Sequence, residues 1–140
     1  MSQQTDIVDS LAGMALFADL SSPQLEEVAH TLDEEFFEEG ARVLRRGFAG
    51  AGFYIIIEGE AAVQVDGTHI ATLSRGDFFG EISALLNEHP TADVVATRPL
   101  RCLMLGGEQL NAFLRTHPTV AIRMLTASAR RLRNNLKWLS

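Results

Sequence analysis

The sequence has a single cysteine, Cys102, so no internal disulfide can form and a cysteine-rich zinc site is excluded. Its four histidines, His30, His69, His89 and His117, are scattered without metal-ligand spacing. No apolar run approaches the roughly 18 residues of a membrane span. Residues 1–9 contain neither a base nor an apolar stretch, so no secretory signal is expected. No Lys or Arg occurs before Arg42. These absences lead to the expectation of a reduced, cytoplasmic protein with no membrane attachment.

The residues that are present suit one globular unit. The chain has 140 residues, 46% hydrophobic and 21% charged. Chains of about 100–200 residues usually make one domain, and one of ~150 buries roughly 68–70% of its unfolded surface. The net charge of −6 and pI of about 5.1 argue against a general nucleic-acid coat. That charge is graded. Residues 1–41 carry ten acids and no base; residues 101–140 carry seven bases and one acid, Glu108. Either the two ends form solvated faces that lie near each other, or a basic end helix docks on an acidic partner or a second copy.

Periodicity divides the chain into residues 1–32 (helices), 33–106 (strands) and 107–140 (helices). Ile7, Leu11 and Met14 fall at helical spacing. Ser22-Pro23 reads as a helix start, with Ser22 as cap, before Leu25, Val28 and Leu32. Glycines then recur at short intervals between apolar runs at 42–44, 53–57, 61–65, 69–73, 92–96 and 101–105. Many short strands with glycine turns predict a sandwich, jelly roll or barrel. Asp66-Gly67 marks a tight hairpin. Pro90 and Pro99 sit at connections, as strand interiors require. A short helix over 108–115 precedes Pro118, and no Gly or Pro interrupts 119–139. Ile122, Ala129 and Leu136 form one heptad series there; Leu125, Leu132 and Leu139 form the other. A 21-residue helix would span ~31 Å. Its stripe either packs on the strands or pairs with a second copy.

Chemistry is concentrated in residues 76–96, GDFFGEISALLNEHPTADVVA. Glu81 opens a short helical stretch directly after Gly80. Unpaired N–H groups of a first turn, next to a glycine that admits close approach, make a small anion-binding site. Glu81 would favour the helix dipole or accept hydrogen bonds from sugar hydroxyls. No nucleophile–base pair stands out: Ser83 has no histidine at a suggestive spacing. The acidic stretch 34–39 lacks calcium-loop spacing. The expectation is a protein that is not an enzyme and holds no cofactor or metal. Cys102 reads as a small buried strand residue.

Four segments in order resemble the cyclic nucleotide-binding domain family, the module of catabolite activator proteins, protein kinase A regulatory subunits and cyclic-nucleotide-gated channels. They are Leu16-Phe17 through Leu20, the stretch from Gly47 through Phe53-Tyr54 to Gly59-Glu60, the cassette GDFFGEISALL from Gly76 to Leu86, and the long final helix. The resemblance covers about residues 11–139. It implies a mainly β fold, an eight-stranded β-roll (jelly roll) with flanking helices and one domain over 1–140. It also implies that Glu81 bonds a ribose 2′-hydroxyl. Backbone N–H groups of Gly80, Ile82, Ser83 and Ala84 would hold a cyclic phosphate.

The family's phosphate arginine position is Pro90 here, within His89-Pro90-Thr91-Ala92-Asp93-Val94, and a hydroxyl position is Asp93. Proline has neither the guanidinium fork nor an N–H. A carboxylate ~4 Å from a phosphate costs up to ~4 kcal/mol at an effective dielectric of ~20. The lost charge-assisted bond costs a further ~1.5–3 kcal/mol, and ~1.4 kcal/mol is tenfold in affinity. His89, Arg75 and Arg101 are alternative cations.

Three readings follow. The domain binds cAMP or cGMP weakly, with Leu125, Leu132 and Leu136 as lid residues. Alternatively, it is an empty module that forms a homodimer through the end helix, along Leu125, Ala129, Leu132 and Leu136. In the third, it takes another small ligand with no anion facing Pro90. No DNA-reading helix follows the long helix before Ser140. Arg130, Arg131 and Arg133 read as a solvated face.

Overall fold

In a computed structural model of the protein, residues 2–48 and 52–136 are described, with side chains over 6–48 and 52–134. Two helices, α1 (Ser2–Ala12) and α2 (Ser22–Thr31), flank a 3-10 turn, Ala15–Phe17. The strands are β1 (Asp33–Phe37), β2 (Arg42–Leu44), β3 (Gly52–Glu58), β4 (Glu60–Val65), β5 (Thr68–Ser74) and β6 (Phe78–Phe79). After α3 (Glu81–Leu86) come β7 (Asp93–Ala96), β8 (Leu100–Gly106), α4 (Gly107–Thr116) and α5 (Pro118–Leu136). Two four-stranded antiparallel sheets face each other, in the orders β1-β8-β3-β6 and β2-β7-β4-β5. This is the expected β-roll with flanking helices. No described helix is long and apolar enough to cross a membrane.

The unbroken run Phe53–Ile57 has a physical cause. Strand side chains alternate between faces, and both faces of β3 are covered. Phe53, Ile55 and Ile57 join a core under the helices, with Leu11, Phe17, Val28, Leu103, Phe113 and Val120. Tyr54 and Ile56 enter a second core between the sheets, with Ala61, Phe79, Val94, Leu100 and Cys102. A strand buried on both sides reads as continuous apolar sequence rather than alternation. The Phe78-Phe79 pair splits the same way, Phe78 toward the helices and Phe79 stacked on Tyr54 at 5.1 Å.

The six expected strand runs all appear. The structure adds β1, whose sequence DEEFF hides an edge strand, and the two-residue β6. Arg101 on β8 stabilises the acidic edge: it pairs with Glu34 on β1, with Asp6 at 2.9 Å and with Glu58 at 3.5 Å. Arg123 on α5 pairs with Asp19. The acidic start and basic finish of the chain therefore meet in the folded molecule. At the hairpin, Asp66 and Gly67 both take positive φ, 52° and 78°, as a tight primed turn demands.

Two expectations change. The cap of α2 is Ser21, not Ser22: its hydroxyl accepts the Gln24 N–H while the Gln24 side chain accepts the Ser21 N–H. Ser22 instead occupies the first helical position. The heptad stripe of α5 does not pack on the strands either. Ile122, Leu125 and Leu132 are 60–66% exposed, and Ala129 is exposed too. The buried face is Val120 and Met124, with Ala127 half-buried. The side chain of Leu136, and Trp138 and Leu139 altogether, lie outside the described residues.

The turn from β6 into α3 brings two backbones together at Gly80, which has φ +86°. A Cβ there would run into the Gly52 carbonyl oxygen on β3. Gly80→Ala thus combines left-handed strain with a backbone clash, and a loss of about 3 kcal/mol is expected in urea unfolding. A loss under about 0.5 kcal/mol would mean that the turn relaxes freely.

Candidate ligand-binding site

A cavity of about 620 Å³ opens between the β2-β7-β4-β5 sheet, the α3 turn and α5. That lies within the usual range of small-molecule sites, ~300–1,000 Å³. Gly80, Glu81, Ile82, Ser83, Pro90, Thr91 and Ala92 all line it. Ala84 and Asp93 are not among its described lining residues. Of the lid candidates, Leu132 reaches it; Leu125 and Ala129 do not.

Glu81 is placed by the glycine before it. Gly80 turns the chain, α3 starts, and Glu81 points inward with only 6% of its surface exposed. Burial pushes its carboxyl pKa up, opposed by its own backbone N–H and by the Arg131 guanidinium. One oxygen, Oε1, lies 3.3 Å from Arg131 Nη1. The other, Oε2, is buried and has no hydrogen-bond partner. A buried acceptor left unpaired costs ~1–3 kcal/mol, so this oxygen marks where a donor belongs.

Arg131 was missed by the sequence reading, which put it on a solvated face. The structure has it half-buried, held on three sides. Its Nη2 donates to the Phe78 carbonyl at 2.8 Å, and its guanidinium lies 4.4 Å from the Phe78 ring centroid. A signal was available: Val120, Met124, Ala127 and Arg131 recur at helical spacing. The larger leucines of the heptad stripe drew attention to the opposite side.

The Pro90 wall is tied from behind. The Pro90 carbonyl accepts the Gly47 N–H at 2.9 Å. Asp93 Oδ1 accepts the Arg46 N–H at 2.8 Å, and the Arg46 guanidinium pairs with Asp66 at 2.8 Å. Asp93 thus serves the 45–48 turn. Ser83, buried, donates to the Gly80 carbonyl at 3.3 Å. His89 is exposed, and Arg101 is occupied at the acidic edge. Arg75 lies beside Gly13. None of these three lines the cavity. Among the described residues, no group of three or more His, Cys, Asp or Glu is placed to hold a metal ion. Cys102 is fully buried between the sheets, and burial raises its thiol pKa to about 12.

The family model described as "Cyclic nucleotide-binding domain" matches residues 34–117, more than half of the chain. The protein belongs to the cyclic nucleotide-binding domain family. A cAMP-dependent protein kinase regulatory subunit from Eremothecium gossypii is 40% identical over 100 residues, covering 70% of this chain and 22% of the relative. Isozyme 1 of the Drosophila melanogaster cGMP-dependent protein kinase is 37% identical over 116 residues, covering 76% and 15%. Among solved structures, the Thermus thermophilus catabolite activator protein superposes with a TM-score of 0.79 at 26% identity, over 89% of this chain and 61% of that one. The chain thus spans less than a quarter of the length of these two curated relatives. The family is a ligand-binding, regulatory one.

The Glu81 shift has a measurable sign. A carboxyl whose pKa is raised on folding binds protons more readily in the folded state, so stability falls as pH rises through the window above the ordinary value of 4.5. Glu81→Gln carries no such charge. Its stability relative to the native chain is expected to increase between pH 4 and pH 7.5 in denaturant titrations. A difference independent of pH would contradict the raised value.

Proposed function

We propose that this chain is a regulatory module that binds a cyclic nucleotide, cAMP or cGMP, weakly in the cavity beside α3. The carrying observation is the buried, half-paired Glu81 carboxylate at the cassette turn, facing a cavity of nucleotide size. Its free oxygen suits a ribose 2′-hydroxyl, the role that the family resemblance gives this position. The curated relatives' names, one cAMP-dependent and one cGMP-dependent, support this ligand class. Weakness follows from Pro90, which gives the phosphate neither a cation nor an N–H. Arg131 joins the same carboxylate to α5, so occupancy reaches the end helix directly. Calorimetric titration is expected to give dissociation constants of roughly 0.1–1 mM, with binding lost in Glu81→Ala. No heat at millimolar nucleotide would overturn the proposal.

One observation favours a second reading, assembly through α5. Ile122, Leu125 and Leu132 present large apolar side chains to solvent along one helix face, with Ala129 between them. A homodimer would cover them. Sedimentation equilibrium at high micromolar concentration is expected to show a dimer that Leu125→Glu dissociates; a native monomer there would refute it.

A further inference from the structure

We infer that the cavity prefers a neutral ribonucleoside to a cyclic nucleotide. This rests on the reading above, that Glu81 takes the ligand's ribose, and concerns which ribose-bearing ligand fits.

The charges around the cavity point this way. Its charged lining residues among those described are two acids, Asp77 and Glu81, and one base, Arg131. Arg131 is already committed to Glu81 and to the Phe78 carbonyl and ring. Turning it to a phosphate would take the one cationic partner away from the buried Glu81 carboxylate. Arg46, two residues from cavity-lining Leu44, is held by Asp66 outside the cavity. The wall that replaces the arginine is apolar, with Pro90, Ala92, Val94 and Leu44. An anion placed there is stripped of water and given no counter-charge.

What the site does offer is an acceptor. Glu81 Oε2 is buried and unpartnered. In a 3′,5′-cyclic nucleotide the 3′ oxygen is esterified, so only the 2′-hydroxyl can donate. A nucleoside keeps both hydroxyls as a vicinal diol, which can place two donors on one carboxylate, and its 5′ end is an uncharged hydroxyl. The two differences act in the same direction: more donors at Glu81, and no charge at Pro90.

The test is calorimetric titration of the whole 140-residue chain with adenosine, guanosine, cAMP, cGMP, 2′-deoxyadenosine and 3′-deoxyadenosine. The better of the two nucleosides is expected to bind at least about tenfold tighter than its cyclic phosphate, a difference of ~1.4 kcal/mol. Removing either hydroxyl of adenosine is expected to weaken binding several-fold. A cyclic nucleotide that binds as tightly as its nucleoside, or tighter, overturns this inference and leaves the ribose reading standing. No binding by any of the six at millimolar concentration overturns both. Pro90→Arg, confirmed as folded by its thermal transition, is expected to move the ratio toward the cyclic nucleotide at least tenfold. An unchanged ratio in the folded variant counts against the charge argument.

Discussion

The site depends on one carboxylate held away from water. Gly80 starts α3 in a conformation that leaves no room for a side chain of its own against β3, and Glu81 follows it buried. Glu81 is not fully neutralised, because Arg131 reaches only one of its oxygens while also serving the Phe78 carbonyl. The result is a charge that is half compensated by design of the backbone. Such a group destabilises the empty protein slightly and gains most from a ligand that brings donors.

The surroundings of that carboxylate are rigid for a reason that lies in the two cores. β3 sends alternate side chains into each, and so does the short β6 that leads into Gly80. Moving the turn would disturb packing on both sides of the sheet. α5 is different. It is attached to this unit by Val120 and Met124 near its start, by the Arg123–Asp19 pair and by Arg131 further on, with Leu125 in solvent and Leu132 at the cavity mouth. A polar latch on a lightly packed helix is easier to exchange than a core contact.

Much of this was legible from residue pattern. The glycine-punctuated runs gave six strands in place, Asp66-Gly67 gave the hairpin, and the Gly80-Glu81 pair marked the cavity wall. The parts that escaped share a cause: each depends on a distant partner. β1 carries three acids in five residues, and the partner of one of them, Glu34, is Arg101 on another strand. The two-residue β6 is too short for any period to register. On α5, side-chain size pointed to the stripe through Leu125 and Leu132, whereas burial selected the face through Val120 and Met124, and with it Arg131. For Asp93, chemical type suggested an intruding charge in the cavity; its partner, the Arg46 N–H, is a backbone group that no motif displays.

That last contact links two positions that look separate in the sequence. Pro90 and Asp93 both fasten the turn at 45–48, one by its carbonyl on Gly47 and the other by its carboxylate on Arg46. One tie is a backbone group of the cavity wall and the other is a side chain beside it. A chain with this arrangement is not simply a relative with one residue missing. The two ties differ in kind: the carbonyl at position 90 is there whatever the side chain, so the cavity wall can change its chemistry without releasing the turn, whereas the tie at 93 is lost with the carboxylate.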